Sequence, residues 1–246
     1  MFNIFSKLFH RKGRGEHPYC SAIVAAAGSS SRMEGENKLL LPLDGIPVLA
    51  RTLLALDAAR LVDEMVIAVR EDDLLTISDI CKIYGVSKPV KIIRGGATRM
   101  ESVHLASLEC RKEAKFLAVH DGARPLAEPE LIDRVIELAR RSNAAAPAVE
   151  VKDTIKIVQN NVVLNTPDRS SLRAIQTPQV FEAQIFRAAL QAAVDAGADV
   201  TDDCSVIERI GKEVYLTDGS YENIKITTPE DMLLAEEILR RREERL

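Results

Sequence analysis

Ser21-Ala22-Ile23-Val24-Ala25-Ala26-Ala27-Gly28-Ser29-Ser30-Ser31-Arg32-Met33 begins as a short apolar run, breaks into glycine and serine, and then meets a cation. The apolar part, Ser21 to Ala26, reads as a buried strand, and the remainder as the loop that leaves it. Small residues let a backbone approach a ligand closely, and consecutive N–H groups form a cradle for phosphate oxygens. Arg32 and, a few residues on, Lys38 add two positive charges to the same loop. Arginine binds phosphate bidentately, whereas lysine acts as a mobile point charge. The Gly-Lys-Ser/Thr of a Walker A loop is absent, and so are the second and third glycines of the dinucleotide fingerprint.

Outward from this loop the chain alternates. Pro47 opens a helix over Val48 to Leu56, with proline at its first position. Met65 to Val69 reads as a strand, Asp72 to Tyr84 as a helix stopped at Gly85, and Val90 to Ile93 as a strand closing at Gly95-Gly96. Thr98 to Arg111 has helical period, Phe116 to Val119 is a strand, Glu128 to Arg141 an amphipathic helix, and Ala146 to Val151 a fifth strand. Strands alternating with helices imply right-handed crossovers and a mainly parallel sheet, so the fold class is α/β, Rossmann-like. Ligands of such sheets bind beyond the carboxyl ends of the strands. The polar stretches Gly28 to Lys38, Gly95 to Ser102 and Asp121 to Pro125 all follow strands.

The rhythm breaks at about 152–172. Thr154 to Val158 and Val162 to Leu164 flank Gln159-Asn160-Asn161, which predicts a protruding β-hairpin arm. A projecting hairpin needs cover, which a second subunit supplies. Helix then returns over Phe181 to Ala196, stopped at Gly197, with a shorter helix over Thr201 to Ile210. Val214 to Leu216 and Asn223 to Thr227 read as strands. Thr228-Pro229-Glu230-Asp231 caps a final helix whose Glu236-Glu237 and Arg240-Arg241-Arg242 form a solvated face.

The chain has 246 residues, 46% hydrophobic and 28% charged, with a formal net charge of −4. That supports one globular core, disfavours a broad nucleic-acid surface, and leaves room for a small anionic ligand held by local cations. Cys20, Cys81, Cys110 and Cys204 are too scattered for a disulfide framework or zinc site and read as reduced thiols, and none of the four histidines has metal-ligand spacing. His120 reads as a hydrogen-bonded structural histidine and His104 as a packing residue. No apolar run reaches the roughly 18 residues of a transmembrane helix. Residues 1–19 read as a disordered tail, with a short membrane-surface helix through Phe2, Phe5 and Phe9 as the alternative. Residues 20–246 form a single domain that includes the arm.

The motifs occur in a fixed order: Ala26-Ala27-Gly28 with Arg32-Met33 and Lys38; Gly95-Gly96, Arg99 and Ser102-Val103; Val119-His120-Asp121-Gly122-Ala123-Arg124-Pro125; Asp153-Thr154-Ile155-Lys156; Asp168-Arg169; Thr177-Pro178-Gln179; Thr201-Asp202-Asp203; and Asn223-Ile224-Lys225-Ile226-Thr227. From about residue 21 to 240 the series resembles the 2-C-methyl-D-erythritol 4-phosphate cytidylyltransferases of the non-mevalonate isoprenoid pathway. The resemblance implies transfer of CMP from CTP to a small polyol phosphate, with release of pyrophosphate. It implies Arg32, Lys38 and Lys225 as the catalytic cations, with Lys225 reaching the α-phosphate. Ala26, Ala27, Gly28, Gly96, Ser102, Asp121 and Gly122 would bind CTP. Asp121, Arg124, Thr154 and Arg169 would bind the polyol phosphate, the last two supplied by the arm of a partner in a homodimer. Mg²⁺ would be held through the CTP phosphates, with no protein metal ligand assigned, and the enzyme would be cytoplasmic.

The chain departs from the family pattern at Asn37, where proline is common, and at Gly122, where alanine is common. Another polyol phosphate such as ribitol 5-phosphate, or a non-catalytic CTP-binding regulator, stays open at this point. The chemistry agrees with the residue types: an attacking phosphate oxygen is already ionised and needs no general base, so positioned cations carry the burden.

Overall fold

The structure is a computed structural model that describes residues 17–28 and 37–245. Arg32 and most of the serine-rich loop, together with residues 1–16 of the expected tail, lie outside the described residues. Residues 17–19 are tied to the body, since the Tyr19 carbonyl accepts from Lys115 N–H at 2.8 Å.

The first strand, β1 (Cys20–Ala26), lies between β4 (Glu64–Val69) and β6 (Phe116–Asp121), parallel to both. Strand β5 (Val90–Arg94) extends β4, again parallel. All of β4 and β6 is buried, which is why these strands read as unbroken apolar runs. Side chains alternate across β1. Cys20, Ala22, Val24 and Ala26 join the core beneath helices α1 (Val48–Ala58), α2 (Leu74–Ile83), α4 (Pro129–Ser142) and α7 (Pro229–Glu243). Ile23 joins the opposite core, beneath α3 (Arg99–Glu109), α5 (Ala183–Asp195) and α6 (Asp203–Arg209), where Phe181 stacks on Phe186 at 4.4 Å. The sheet therefore has an apolar layer on each face, as a doubly wound fold requires.

Beyond β6 the structure corrects the sequence expectations. Residues 179–182 form strand β11 (Gln179–Glu182), antiparallel between β6 and β7 (Ala144–Glu150), so Phe181 belongs to a strand and the helix begins at Ala183. The strand is four residues long and its Val180-Phe181 pair runs straight into the apolar period of α5, which hides the boundary. Strand β10 (Arg173–Ile175), also antiparallel to β7, carries no apolar alternation to announce it. Strand β12 (Tyr215–Asp218) pairs with β7 in parallel. Residues 223–227 are not a strand. Ile226 N–H donates to Ala123 O at 2.8 Å, but the segment joins no ladder. Pro47 closes a two-residue strand, β3 (Ile46–Pro47), paired with β2 (Pro42–Leu43), and stands one place before the helix rather than inside it.

The arm is present. Strands β8 (Ile157–Gln159) and β9 (Val162–Asn165) join through Asn160 and Asn161 at φ 49° and 63°, the left-handed pair that a tight hairpin turn demands. Every residue of both strands is exposed.

Candidate functional site

The carboxyl ends of β1, β5 and β6 open on one cavity of about 420 Å³, at the point where the chain leaves the central strand in opposite directions. Ala26, Ala27, Gly28, Lys38, Gly96, Ser102, Asp121 and Lys225 line it, with Arg99 and Thr227. These residues are separated by up to two hundred positions in the chain and converge only through the sheet topology.

Each lining element is braced locally. Helix α3 starts at a capping box, with Thr98 Oγ1 accepting from Glu101 N–H and the Glu101 carboxylate accepting from the Thr98 N–H. That carboxylate also accepts from Ala97 N–H at 2.7 Å, while Ser102 Oγ accepts from Gly96 N–H at 3.1 Å and donates to Thr98 O at 2.8 Å. The Gly96 loop is thus closed by its own side chains. A Cβ on Gly95 would meet Ala27 Cβ at 2.6 Å and Ser102 Oγ at 2.8 Å, so this wall admits only glycine. Asn37, where the family pattern favours proline, stiffens the approach to Lys38 in another way. Its Oδ1 accepts from Leu39 N–H at 3.2 Å and its Nδ2 donates to Asp73 Oδ2 at 3.0 Å.

Asp121 is the centre of charge. Lys225 Nζ lies 2.9 Å from Oδ2, Arg99 Nη2 3.3 Å from Oδ1, and Arg124 Nε 3.5 Å from Oδ2. Burial alone would raise the Asp121 pKa, but Arg99, Lys225 and Arg124 together hold the carboxyl well below the usual range. Arg99 also donates to Asp203 Oδ2 at 2.6 Å, at the start of α6, where burial pushes the Asp203 carboxyl up against the pull of Arg99. Gly122 and Arg124 stand behind this wall rather than in it. Gly122 N–H donates to Ala25 O at 3.0 Å, its carbonyl accepts from Thr52 Oγ1 at 2.9 Å, and Arg124 Nη1 donates to Asn223 O at 2.7 Å. A Cβ at position 122 would lie 3.1 Å from Leu49 Cδ1 and 3.3 Å from Ala25 O, so an alanine there needs a few tenths of an ångström of yielding.

Thr154 and Arg169 are not brought to this cavity. Both are exposed on the arm, and Arg169 Nη1 donates to Lys152 O at 3.0 Å. Among the described residues no group of three or more His, Cys, Asp or Glu is placed to hold a metal ion, and Asp121 is already met by three cations.

His120 is fully buried beneath Asp121. Thr177 Oγ1 accepts from Asp121 N–H at 3.1 Å and is hydrogen-bonded to His120 Nδ1 at 2.9 Å. Burial lowers the His120 pKa from 6.5 to about 4. A folded-state pKa below the unfolded value means the unfolded chain binds the extra proton first, so stability falls as pH drops from about 6.5 toward 4. The ceiling on this contribution is on the order of 3 kcal/mol. Urea unfolding at pH 7.5 and pH 5 checks it: His120→Gln should lose less stability over that interval than the wild type, and equal losses would show that the buried ring is not the titrating group.

The comparisons with known proteins agree with this geometry. The model of the family 2-C-methyl-D-erythritol 4-phosphate cytidylyltransferase (IspD) matches residues 20–241. The chain belongs to this cytidylyltransferase family. A 2-C-methyl-D-erythritol 4-phosphate cytidylyltransferase of Bacillus cytotoxicus is 44% identical over 218 residues, 88% of this chain and 96% of the relative. One from Caldanaerobacter subterraneus is 42% identical over 224 residues, covering 90% and 99%. A solved structure of 4-diphosphocytidyl-2C-methyl-D-erythritol synthase from Anaerococcus prevotii superimposes with a TM-score of 0.82 at 32% identity, covering 90% of this chain and 96% of that one.

Within this cytidylyltransferase family member, sequence reasoning left four residues of the site without a role. Arg99 and Asp203 stand in the sequence only as members of motifs, although they form an ion pair beside Asp121 across 104 positions. Thr177 supports Asp121, and Thr227 lines the cavity. The available signal was that all four fall inside the ordered motifs.

Proposed function

We infer that the chain transfers CMP from CTP to 2-C-methyl-D-erythritol 4-phosphate. The products are 4-diphosphocytidyl-2-C-methyl-D-erythritol, an isoprenoid precursor, and pyrophosphate. One observation carries this reading beside the family membership: a glycine-walled cavity at the switch point of the sheet, lined by Lys38 and holding Arg99 and Lys225 on one carboxylate, Asp121. A phosphate oxygen of the polyol attacks the α-phosphorus of CTP. A P–O bond forms there, and the bond to the β-phosphate oxygen breaks, its electron pair leaving with pyrophosphate. No proton has to move, which fits a site whose titratable centre, Asp121, is held ionised.

Each side chain then has a task. The backbone of Ala26, Ala27 and Gly28 lies against the triphosphate, with Arg32 and Lys38 offsetting its charge. Mg²⁺, held through the CTP phosphates, would offset the negative charge of the triphosphate. Gly96 and Ser102 meet the cytidine. Asp121, with Gly122 behind it, faces the ribose and the polyol hydroxyls, and Arg124 supports that carboxylate. Lys225, held at 2.9 Å from Asp121, turns to the α-phosphate as charge grows on it.

The arm belongs to a homodimer in this reading. Ile157, Val158, Val162, Val163 and Leu164 are exposed on the two-stranded hairpin, and a hairpin of this size is marginal without cover. A second copy supplies that cover and receives Thr154 and Arg169 on its polyol phosphate. In this reading the unit is a single domain of residues 20–246 working in the cytoplasm, which its four free thiols support. Among the described residues no helix is long and apolar enough to cross a membrane.

Pyrophosphate release from CTP is the test of the activity. It should require 2-C-methyl-D-erythritol 4-phosphate and fail with ATP. Turnover with ribitol 5-phosphate instead would reassign the polyol, and silence with every pair would leave only a nucleotide binder. Arm sharing has its own test. Mixing Lys38→Ala with Arg169→Ala subunits should restore activity to one site of each mixed dimer. Confirmed mixed dimers without activity would overturn the sharing.

A further inference from the structure

The segment that carries Lys225 has no helix or strand to hold it. Its backbone ties are few: Asn223 N–H to Ser220 O at 3.0 Å, Ile224 N–H to Glu222 O at 2.8 Å, and Ile226 N–H to Ala123 O at 2.8 Å. The rest of its placement comes from side chains. Asn223 is fully buried, and its Nδ2 donates to Thr177 O at 3.0 Å and Gln176 Oε1 at 3.3 Å. Gln176 in turn donates through Nε2 to Ser220 O at 2.7 Å and accepts from Ser220 N–H at 3.2 Å. The backbone of Gln176 is anchored to the sheet by its N–H to Pro147 O at 2.8 Å. A Cβ on Gly219 would meet Gln176 Oε1 at 2.6 Å, so the loop rides directly on that amide. From the other side, the Asn223 carbonyl accepts from Arg124 Nη1 at 2.7 Å, and Arg124 faces Asp121.

Asn223 thus joins three parts of the molecule: the segment between β10 and β11, the loop bearing Lys225, and the loop after β6 that bears Arg124. Two acceptors fix the orientation of its amide, and both come from the Gln176-Thr177 segment. We propose that Asn223, braced by Gln176, is the positioning residue that sets Lys225 Nζ against Asp121 and so aims it into the cavity. The inference rests on the reading of Lys225 as the cation that reaches the reacting phosphate. A lysine on an irregular segment is useful in a transition state only if its backbone does not have to be ordered anew at each turnover, and a misplacement of about 1 Å lowers rates by about 100-fold.

A double-mutant cycle read by pyrophosphate release tests this. In folded Asn223→Ala, kcat should fall about 10- to 100-fold while KM for CTP changes less than about threefold. The double variant Asn223→Ala/Lys225→Ala should turn over at the rate of Lys225→Ala alone, because the positioning acts through that lysine. Losses that multiply, or an Asn223→Ala enzyme within about twofold of wild type, would overturn the inference while leaving the role of Lys225 standing. A near-normal Lys225→Ala enzyme would instead bring down the reading on which it rests. If Asn223→Ala does not fold, Gln176→Glu takes its place. That change keeps an acceptor for Asn223 and sets a carboxylate oxygen against Ser220 O in place of the donor, so a loss that disappears in the Lys225→Ala background supports the inference and a loss that persists overturns it.

Discussion

Lys225→Ala should slow turnover by about 100- to 1,000-fold, the effect of removing one preorganised group from a developing anionic transition state. The structure separates this loss from any loss of fold. Lys225 Nζ is 2.9 Å from Asp121 Oδ2, yet the side chain remains about two-fifths exposed and is rooted in an irregular segment rather than in the core. Asp121 keeps Arg99 and Arg124 when Lys225 is gone, so no buried charge is orphaned. Stability should therefore change by no more than about 1 kcal/mol, as for a partly exposed ion pair. Single-turnover pyrophosphate release, paired with urea unfolding of the same sample, reads both quantities. A kcat within about threefold of wild type would remove Lys225 from the chemistry.

Asp121→Asn should do the reverse in proportion, damaging the fold as well as the activity. The change leaves Arg99, Arg124 and Lys225 around an uncharged amide. Breaking a buried ion pair by removing one partner costs about 3–5 kcal/mol. The lower end applies, because Arg99 retains Asp203 and Lys225 reaches solvent. The pH dependence gives the sign. The folded-state pKa of Asp121 lies below its ordinary 3.8, so its contribution is fully present above that pH and is lost as pH falls further. The stability gap between wild type and Asp121→Asn should be constant near neutrality and narrow below about pH 4. A gap that is absent at pH 7, or that widens in acid, would mean that the three cations do not stabilise the carboxylate.

Much of the architecture was legible because its strands are buried on both faces. The runs at 65–69 and 116–119 are apolar end to end, those at 21–26 and 90–93 carry one polar residue each, and Thr228 with Asp231 announced the final helix and formed the expected box. Asn160-Asn161 announced the hairpin, because few other residues take left-handed backbone in succession. The antiparallel strands β10 and β11 were not legible. Arg173-Ala174-Ile175 lacks a pattern, and Val180-Phe181 borrows the period of the helix that follows. Residues 223–227 misled in the opposite direction. Alternating Ile224 and Ile226 look like a strand, but the buried pair-mate of this segment is the amide of Gln176 and not another ladder.

The site was legible where its residues sit at strand ends or in the loops directly after them, as with Gly28, Gly96 and Asp121. It was obscure where two charges meet across the fold. Arg99 and Asp203 each look like ordinary helix-start residues, and only the packing of α3 against α5, and of α5 against α6, brings them within 2.6 Å of each other. In a single chain Thr154 and Arg169 lie away from the cavity, and their approach to the polyol phosphate through the arm of a second copy is our proposal.

The most direct test of the central claim, that this cavity joins the phosphate of a polyol to the α-phosphate of CTP, is the fate of the attacking oxygen. The enzyme is supplied with CTP, Mg²⁺ and 2-C-methyl-D-erythritol 4-phosphate labelled with ¹⁸O in its phosphate, and the products are read by ³¹P NMR. The account predicts unlabelled pyrophosphate and a CDP-alcohol that retains all the label, with ¹⁸O in the bridge between its two phosphorus atoms. Label in the pyrophosphate, or an unlabelled bridge, would contradict it.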